Sequence, residues 1–303
     1  MPDVICMGEA MVELSLAGGG ASVGYAGDTM NVAVYLKRAA PGLGVAYATR
    51  LGDDPFSDAM VALMRGEGLE VGLVGRAGGR LPGLYAITTD PQGERSFHYW
   101  RGEAAARGMM AGLSRADLRC GLLYLSGITL AILPEADRAR LLGWLAELRA
   151  AGTRIAFDSN YRPRLWPDAD AARAAMRAAW QATDIALPSV DDEMALWGDA
   201  DAGGVIARLR GWGVTDGALK RGAAGPLGLD GATGRFAPAP RVVDTTAAGD
   251  SFNGAYLGAR LTGADGAAAL QAGHEMAAWV VGHPGAIVPP RPAGRLADPP
   301  PEG

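Results

Sequence analysis

The chain of 303 residues holds two cysteines, three histidines and two lysines, and each shortage removes a class of function. Cys6 and Cys120 are too few and too far apart for a disulfide framework or a cysteine metal site. His98, His274 and His283 show no metal-ligand spacing of the His-Glu-x-x-His kind. No stretch approaches about 18 uninterrupted apolar residues, so no membrane span is expected. The start, Met1-Pro2-Asp3-Val4-Ile5-Cys6, has neither a basic region nor a long apolar run; a signal peptide is not expected and a cytoplasmic location is. A net charge of −5 argues against a nucleic-acid partner, which would demand a basic face. A small anionic ligand stays open, because local arginines override a weak overall field. Nucleotide signatures are also missing. There is no Gly-x-x-x-x-Gly-Lys-Ser/Thr loop, no Gly-x-Gly-x-x-Gly after the first strand, and no His-Arg-Asp or Asp-Phe-Gly.

What remains is an ordinary globular composition, 49% hydrophobic and 20% charged, on a chain long enough for a large core. Short apolar runs predict strands at Val4–Met7, Val45–Thr49, Leu122–Leu125, Arg154–Phe157, Ile185–Leu187 and Asp216–Leu219. Amphipathic stretches predict helices near Asp28–Ala39, Asp54–Arg65, Pro134–Ala150, Ala169–Ala182, Asp201–Trp212, Ser251–Leu261 and Gly266–Val281. The alternation reads as an α/β fold, its sheet mostly parallel and covered on both faces. One region breaks the pattern. Leu84–Thr89, a turn at Asp90-Pro91-Gln92-Gly93-Glu94, and Arg95–Arg101 read as a β-hairpin. With a strand at Met11–Leu16 it would make a small antiparallel sheet, either an edge decoration or a lid over the carboxyl ends of the main strands. From Pro289 the chain is Pro-rich, and residues 291–303 are expected to be partly disordered.

The segment Val242-Val243-Asp244-Thr245-Thr246-Ala247-Ala248-Gly249-Asp250-Ser251-Phe252-Asn253-Gly254 carries the chemistry. Two β-branched residues read as a strand end, small residues as a tight turn, and the run from Phe252 as a helix. Such a turn leaves the backbone N–H groups of Ala247, Ala248 and Gly249 aimed outward at a helix N-terminus, an anion site. Asp250 places a carboxylate beside it. A fold gains little from repelling its own anion site, so the pairing points to a phosphoryl group held by donors while a carboxylate takes a proton.

These residues resemble the ribokinase-like (PfkB) carbohydrate kinases. Asp244-Thr245-Thr246-Ala247-Ala248-Gly249-Asp250 is similar to that family's Asp-Thr-x-Gly-Ala-Gly-Asp, with Ala247 in place of a Gly. Gly27-Asp28-Thr29-Met30-Asn31 resembles its sugar-binding Gly-Gly-Asp-x-x-Asn, Ala26 replacing the first Gly. The likeness spans residues 3–290. It implies a ribokinase-like three-layer α/β/α sandwich in one domain over 1–290, with a β lid from roughly 10–25 and 82–103. It also implies ATP and Mg2+ as cofactors, a monovalent cation such as K+ at Asp244 and Thr246, which the residues themselves leave open, and pairing of two copies through the lid.

Within the family the chain is most similar to the 2-keto-3-deoxygluconate kinases. The stretches that carry this are Tyr25–Asn31, Leu81–Tyr85, Phe97–Arg101, Tyr124–Ala131 and Asp158–Pro163. The resemblance implies substrate contacts from Gly27, Asp28, Asn31, the backbone of Tyr85, Tyr99, Arg101, Arg162 and Asp250. A separate reading of the residues agrees on charge. Alternation puts Phe97, Tyr99 and Arg101 on one strand face, and Arg162 follows a strand end. Two guanidinium groups on one cleft suit a sugar acid's carboxylate, whereas either Arg alone reads as a surface residue. Asp28 and Asn31 also read as cap and first-turn residues of a helix.

For the nucleotide, Lys220-Arg221-Gly222-Ala223-Ala224-Gly225 resembles the family's Lys-x-Gly-x-x-Gly; a plain turn with an exposed lysine is the alternative. Ser189-Val190-Asp191-Asp192-Glu193 resembles Asn-x-x-Glu, with Ser189 replacing Asn and Glu193 acting on magnesium through water. His274 falls on a helix that borders the adenine pocket in the family, and as a lone His equally reads as a packed or surface residue. The expected reaction is phosphorylation of 2-keto-3-deoxygluconate at O6, with Asp250 as base. Another sugar of the same family, or a silent sugar-binding protein, are the rival readings.

Overall fold

The computed structural model describes residues 1–17, 20–89 and 95–292. The chain runs β1 (Val4–Met7), β2 (Met11–Ala17), β3 (Gly20–Ala26), α1 (Asp28–Ala39), β4 (Val45–Leu51), α2 (Pro55–Gly66), β5 (Val74–Arg76), β6 (Gly83–Thr89) and β7 (Arg95–Trp100). It continues through β8 (Leu122–Ser126), α3 (Gly127–Ile132), α4 (Glu135–Ala150), β9 (Arg154–Asp158), α5 (Ala169–Gln181), β10 (Ile185–Ala186), α6 (Val190–Trp197) and α7 (Ala202–Gly211). The last elements are β11 (Ala218–Leu219), β12 (Leu227–Gly228), α8 (Ala248–Leu261) and α9 (Gly266–Val280).

The main sheet has the order β10-β9-β8-β1-β4-β5, and every pairing in it is parallel. A parallel sheet needs cover on both faces, so its strands read as unbroken apolar runs. β1 shows how two cores follow from four residues. Val4 and Cys6 point into one, among Tyr47, Tyr124, Met30, Phe252, Tyr256 and Leu270. Ile5 and Met7 point into the other, among Leu125, Phe157, Leu145, Met176 and Trp180. The result is the expected three-layer sandwich. Isolated parallel bridges Ala186↔Gly217 and Ser189↔Lys220 carry the sheet on to β11.

Strand order reverses at β1. From there the chain builds β4 and β5 on one side, then returns to build β8, β9 and β10 on the other. That switch opens a crevice beyond the carboxyl ends of β1 and β8, where open α/β sheets take ligands.

A second sheet, β3-β2-β6-β7, stands over the crevice. It is mixed rather than antiparallel as the sequence led us to expect: β2 and β6 pair in parallel from Met11↔Gly83 to Leu16↔Thr88. Both strands leave the same end of the main sheet, with α1, β4, α2 and β5 between them, and that crossover makes them run in one direction. Met11, Ala26, Tyr85 and Ile87 of its inner face cluster with Ala286 and Ala247, so the sheet is seated on the turn before α8 and is a lid, not an edge decoration. The turn Asp90–Glu94 and the tail beyond Pro292 lie outside the described residues.

Val242 and Val243 belong to no strand. Val243 and Asp244 instead donate their N–H groups to the carbonyl of Val281 (2.7 and 3.1 Å), which anchors the approach to α8 on the loop after α9. No helix among the described residues is long and apolar enough to cross a membrane.

Candidate active site

After the lid strand β3, α1 begins at the crevice. Gly27 precedes it so closely packed that a Cβ would stand 2.1 Å from the carbonyl oxygen of Glu9. Asp28 is the first helical residue and not a side-chain cap. Its Oδ2 accepts from Ser126 Oγ (2.5 Å) and Asn160 Nδ2 (2.9 Å), and burial pushes its carboxyl above the usual range. Asn31, one turn on, is the first-turn polar residue its position indicated and also reaches α8. Its Oδ1 accepts the Gly27 N–H (3.3 Å), while its Nδ2 donates to Asp250 Oδ2 (2.8 Å).

Asp250 lies in the first turn of α8. Burial, then the nearby charge of Asp28, raise its carboxyl from 3.8 to about 7; the Asn31 bond opposes this, Asp158 adds to it, and Lys220 opposes it again. The turn that delivers it holds Ala247 at φ 58 and ψ 15, the left-handed region, which costs a non-glycine residue about 1–2 kcal/mol. The N–H of Ala248 is committed to the Thr245 carbonyl (3.2 Å), which corrects the expectation of three unpaired groups. Those of Ala247 and Gly249 have no bonding acceptor among the described residues. Asp244 fastens the loop, accepting from the N–H groups of Thr246 (2.9 Å) and Gly285 (2.7 Å).

The two arginines differ in kind. Arg101 is buried to 12% side-chain exposure, ion-paired with the deeply buried Glu9 and 5.9 Å from the Tyr99 ring centroid. Arg162 is half exposed, donating to the Tyr161 carbonyl (2.8 Å) and to Asp192 Oδ1 (3.4 Å). Tyr85 packs on Phe97 (6.3 Å between centroids) and Tyr99 (5.8 Å), the aromatic face the alternation indicated. Its hydroxyl is tied to Glu13, so the side chain is held along the lid.

Just past β11, Lys220 Nζ donates to Asp158 Oδ2 (2.5 Å). The following turn passes through Gly222 (φ 54) and Gly225 (φ 75), and a Cβ on Gly225 would meet Phe236 at 2.6 Å. His274 rests 5.0 Å from that Phe236 ring, with Nε2 2.6 Å from the Ala237 carbonyl, so Gly225, Phe236 and His274 form one wall. Ser189 ends its strand segment at the Ser189↔Lys220 bridge and starts α6. Glu193 is fully buried, paired with Arg208 Nη2 (2.8 Å), and burial lifts its carboxyl to about 7 against that pairing. Ser159, itself fully buried, stands by the same carboxylate and also opposes the rise. Among the described residues no group of three or more His, Cys, Asp or Glu is arranged to hold a metal by itself.

Residues 1–293 match the family model described as pfkB family carbohydrate kinase. The chain belongs to that family. A pfkB kinase named 2-dehydro-3-deoxygluconokinase from Dickeya dadantii (strain 3937) is 43% identical over 300 residues, 95% of this chain and 97% of the relative. The solved PfkB protein from Polaromonas sp. JS666 superposes with a TM-score of 0.80 at 29% identity, covering 92% of this chain and 95% of that one. A putative ribokinase II from E. coli, solved in complex with ATP and Mg+2, shares the fold at a TM-score of 0.81 and 22% identity, with 94% of each chain covered. In this pfkB kinase the segment Gly27–Asn31 and the turn Asp244–Asp250 meet through the hydrogen bond from Asn31 to Asp250. Motif reading missed Glu9, Ser126, Asp158, Asn160 and Asn253. Each is a single polar residue at or beyond a strand end or within a helix, and only the topology gathers them. Glu9 was signalled only as a carboxylate two residues past the wholly apolar β1, while Ser126, Asp158 and Asn160 fell inside the stretches Tyr124–Ala131 and Asp158–Pro163 without a role of their own.

Proposed function

We propose that this pfkB kinase phosphorylates 2-keto-3-deoxygluconate (2-dehydro-3-deoxygluconate) at O6 with ATP, giving the 6-phosphate and ADP. The observation that carries the reading is the position of Asp250. Its carboxyl stands at a helix N-terminus beside the free N–H groups of Ala247 and Gly249 and is bonded to Asn31 of the sugar motif.

Asp28 and Asn31 hold sugar hydroxyls, while Arg101 and Arg162 hold the carboxylate that separates a sugar acid from a neutral sugar. With a pKa raised to about 7, Asp250 is matched to removing a proton from the attacking hydroxyl near neutral pH. The N–H groups of Ala247 and Gly249 bind charge on the phosphoryl oxygens, and such donors are each worth on the order of 100-fold in rate. ATP with Mg2+ supplies the phosphoryl group and screens its charge. Lys220, Ser189, the Gly222–Gly225 turn and His274 line the nucleotide side, with Glu193 directed toward the metal through water. A monovalent cation such as K+ is part of the proposal at Asp244 and Thr246, where a carboxylate already joins two loops. Sugar-dependent ADP release is then greater in K+ than in a bulky organic cation.

Val23 and Trp100 on the edge strands of the lid are 53% and 61% exposed, and edge strands invite pairing. We extend the proposal to a dimer formed through the lid, for which sedimentation of a Trp100→Glu variant as a monomer is the check. The reaction itself is tested by ADP release over a panel of sugars. The proposal requires 2-keto-3-deoxygluconate to exceed ribose and fructose in kcat/KM; the reverse order defeats it.

A further inference from the structure

Asn253 is out of place by the ordinary rules of a helix interior. It lies in α8, three residues past Asp250, and is fully buried. Asparagine is a weak helix former, and a buried amide must find partners. Here Nδ2 donates to Asp158 Oδ2 (2.7 Å) and to the Tyr124 hydroxyl (3.2 Å), while Oδ1 has no partner among the described residues. Tyr124 of β8 and its α8 neighbours Phe252 and Tyr256 belong to an apolar core, and the charged partner this amide finds there is Asp158.

Asp158 is where three elements meet. The same Oδ2 accepts Lys220 Nζ (2.5 Å), and Oδ1 accepts the N–H of Asn160 (3.1 Å). Asn160 sits at φ 33, a conformation asparagine tolerates, and its own amide reaches Asp28. Lys220 meanwhile stands against the first turn of α8: a Cβ on Gly249 would lie 3.6 Å from its Nζ. A lysine side chain has about 2 kcal/mol of rotamer entropy and is placed only if its partner is fixed. Asn253 fixes that partner to the very helix that carries Asp250.

We propose that Asn253 is a positioning residue which, through Asp158, holds the Lys220 ammonium against the phosphate-binding turn of α8. The charge that meets the nucleotide and the helix that carries the base thereby keep one geometry. This rests on the nucleotide reading of Lys220 given above.

A double-mutant cycle tests it, with Asn253→Leu, Asn253→Ser, Lys220→Met and the combinations, each read as kcat, KM for ATP, KM for the sugar acid, and Tm. Misplacing a catalytic group by about 1 Å costs on the order of 100-fold, so Asn253→Leu should lower kcat/KM for ATP by about 10- to 100-fold. The sugar KM should move less than about two-fold, and Asn253→Ser, which keeps a short donor, should recover part of the loss. In the Lys220→Met background, Asn253→Leu should cost less than about two-fold more. Equal losses in both backgrounds would overturn the inference while leaving the nucleotide role of Lys220 intact. Wild-type kinetics for Lys220→Met would overturn that role and the inference with it. If Asn253→Leu does not fold, Asn253→Ser carries the same cycle.

Discussion

The amide of Asn31 donates to the carboxylate of Asp250 over 2.8 Å, joining residues 219 positions apart. One comes from the start of α1, the other from the first turn of α8, which on the proposed function meet the sugar and the phosphate. The bond orients the Asp250 carboxylate and stabilises its charged form at once.

The pH profile follows from that contact. Asp250 must be deprotonated to accept a proton, so kcat/KM should rise through about pH 7 and level off above it. Asn31→Ala removes a donor that favours the carboxylate, so the acid limb should move to higher pH. Asp28→Asn removes the neighbouring negative charge, so the limb should move to lower pH. Rate profiles of the three proteins check both directions; a limb that stays put in both variants would exclude Asp250 as its origin.

Arg101 and Arg162 should separate in a way their shared role would hide. Loss of Arg162, half exposed with one long contact to Asp192, should raise the sugar KM at least about 10-fold, the worth of a charged hydrogen bond, yet leave stability within about 0.5 kcal/mol. Arg101→Ala should raise the sugar KM and also destabilise by about 3 kcal/mol, since it leaves Glu9 buried and unpaired. Kinetics together with urea unfolding of both variants measures the contrast.

A similar argument applies to the carboxylate of Glu193. Arg208 pairs with fully buried Glu193 and with Asp199, its guanidinium 4.8 Å from the ring centroid of Trp197 and 4.9 Å from that of Trp212. Arg208→Ala should cost about 3–5 kcal/mol by stranding the Glu193 carboxylate, and lowering the pH toward 5 should narrow the gap as that carboxylate takes up a proton. Denaturation at pH 8 and pH 5 reads this directly.

Much of this was legible in the chain because the signals were local. The bounds of β1 and α1 came out as Val4–Met7 and Asp28–Ala39, since an apolar run and a Gly-Asp start need no tertiary information. Asp250 could be named from turn chemistry, while Asn31 and Gly225 came with the family resemblance. The reading failed where contacts are long-range. Val242 and Val243 have strand-like side chains, but the backbone N–H groups of Val243 and Asp244 bond to the Val281 carbonyl, which no local pattern reveals. Glu9 gives no sign in sequence that it neutralises Arg101, and nothing around Asn253 foretells Asp158. Both pairings exist only once strand order has brought distant carboxyl ends together.

The most direct test compares wild type with Asp250→Asn, measuring ADP release from 2-keto-3-deoxygluconate and thermal unfolding on the same samples. An acid whose pKa is raised on folding binds its proton more tightly when folded, so it lowers stability as pH rises from about 4 to above 7. Asp250→Asn should therefore turn over at least about 1,000-fold more slowly, on the scale of a lost catalytic base, while melting no lower than wild type at pH 8. Turnover within about ten-fold of wild type in a folded Asp250→Asn protein would contradict the assignment of the base.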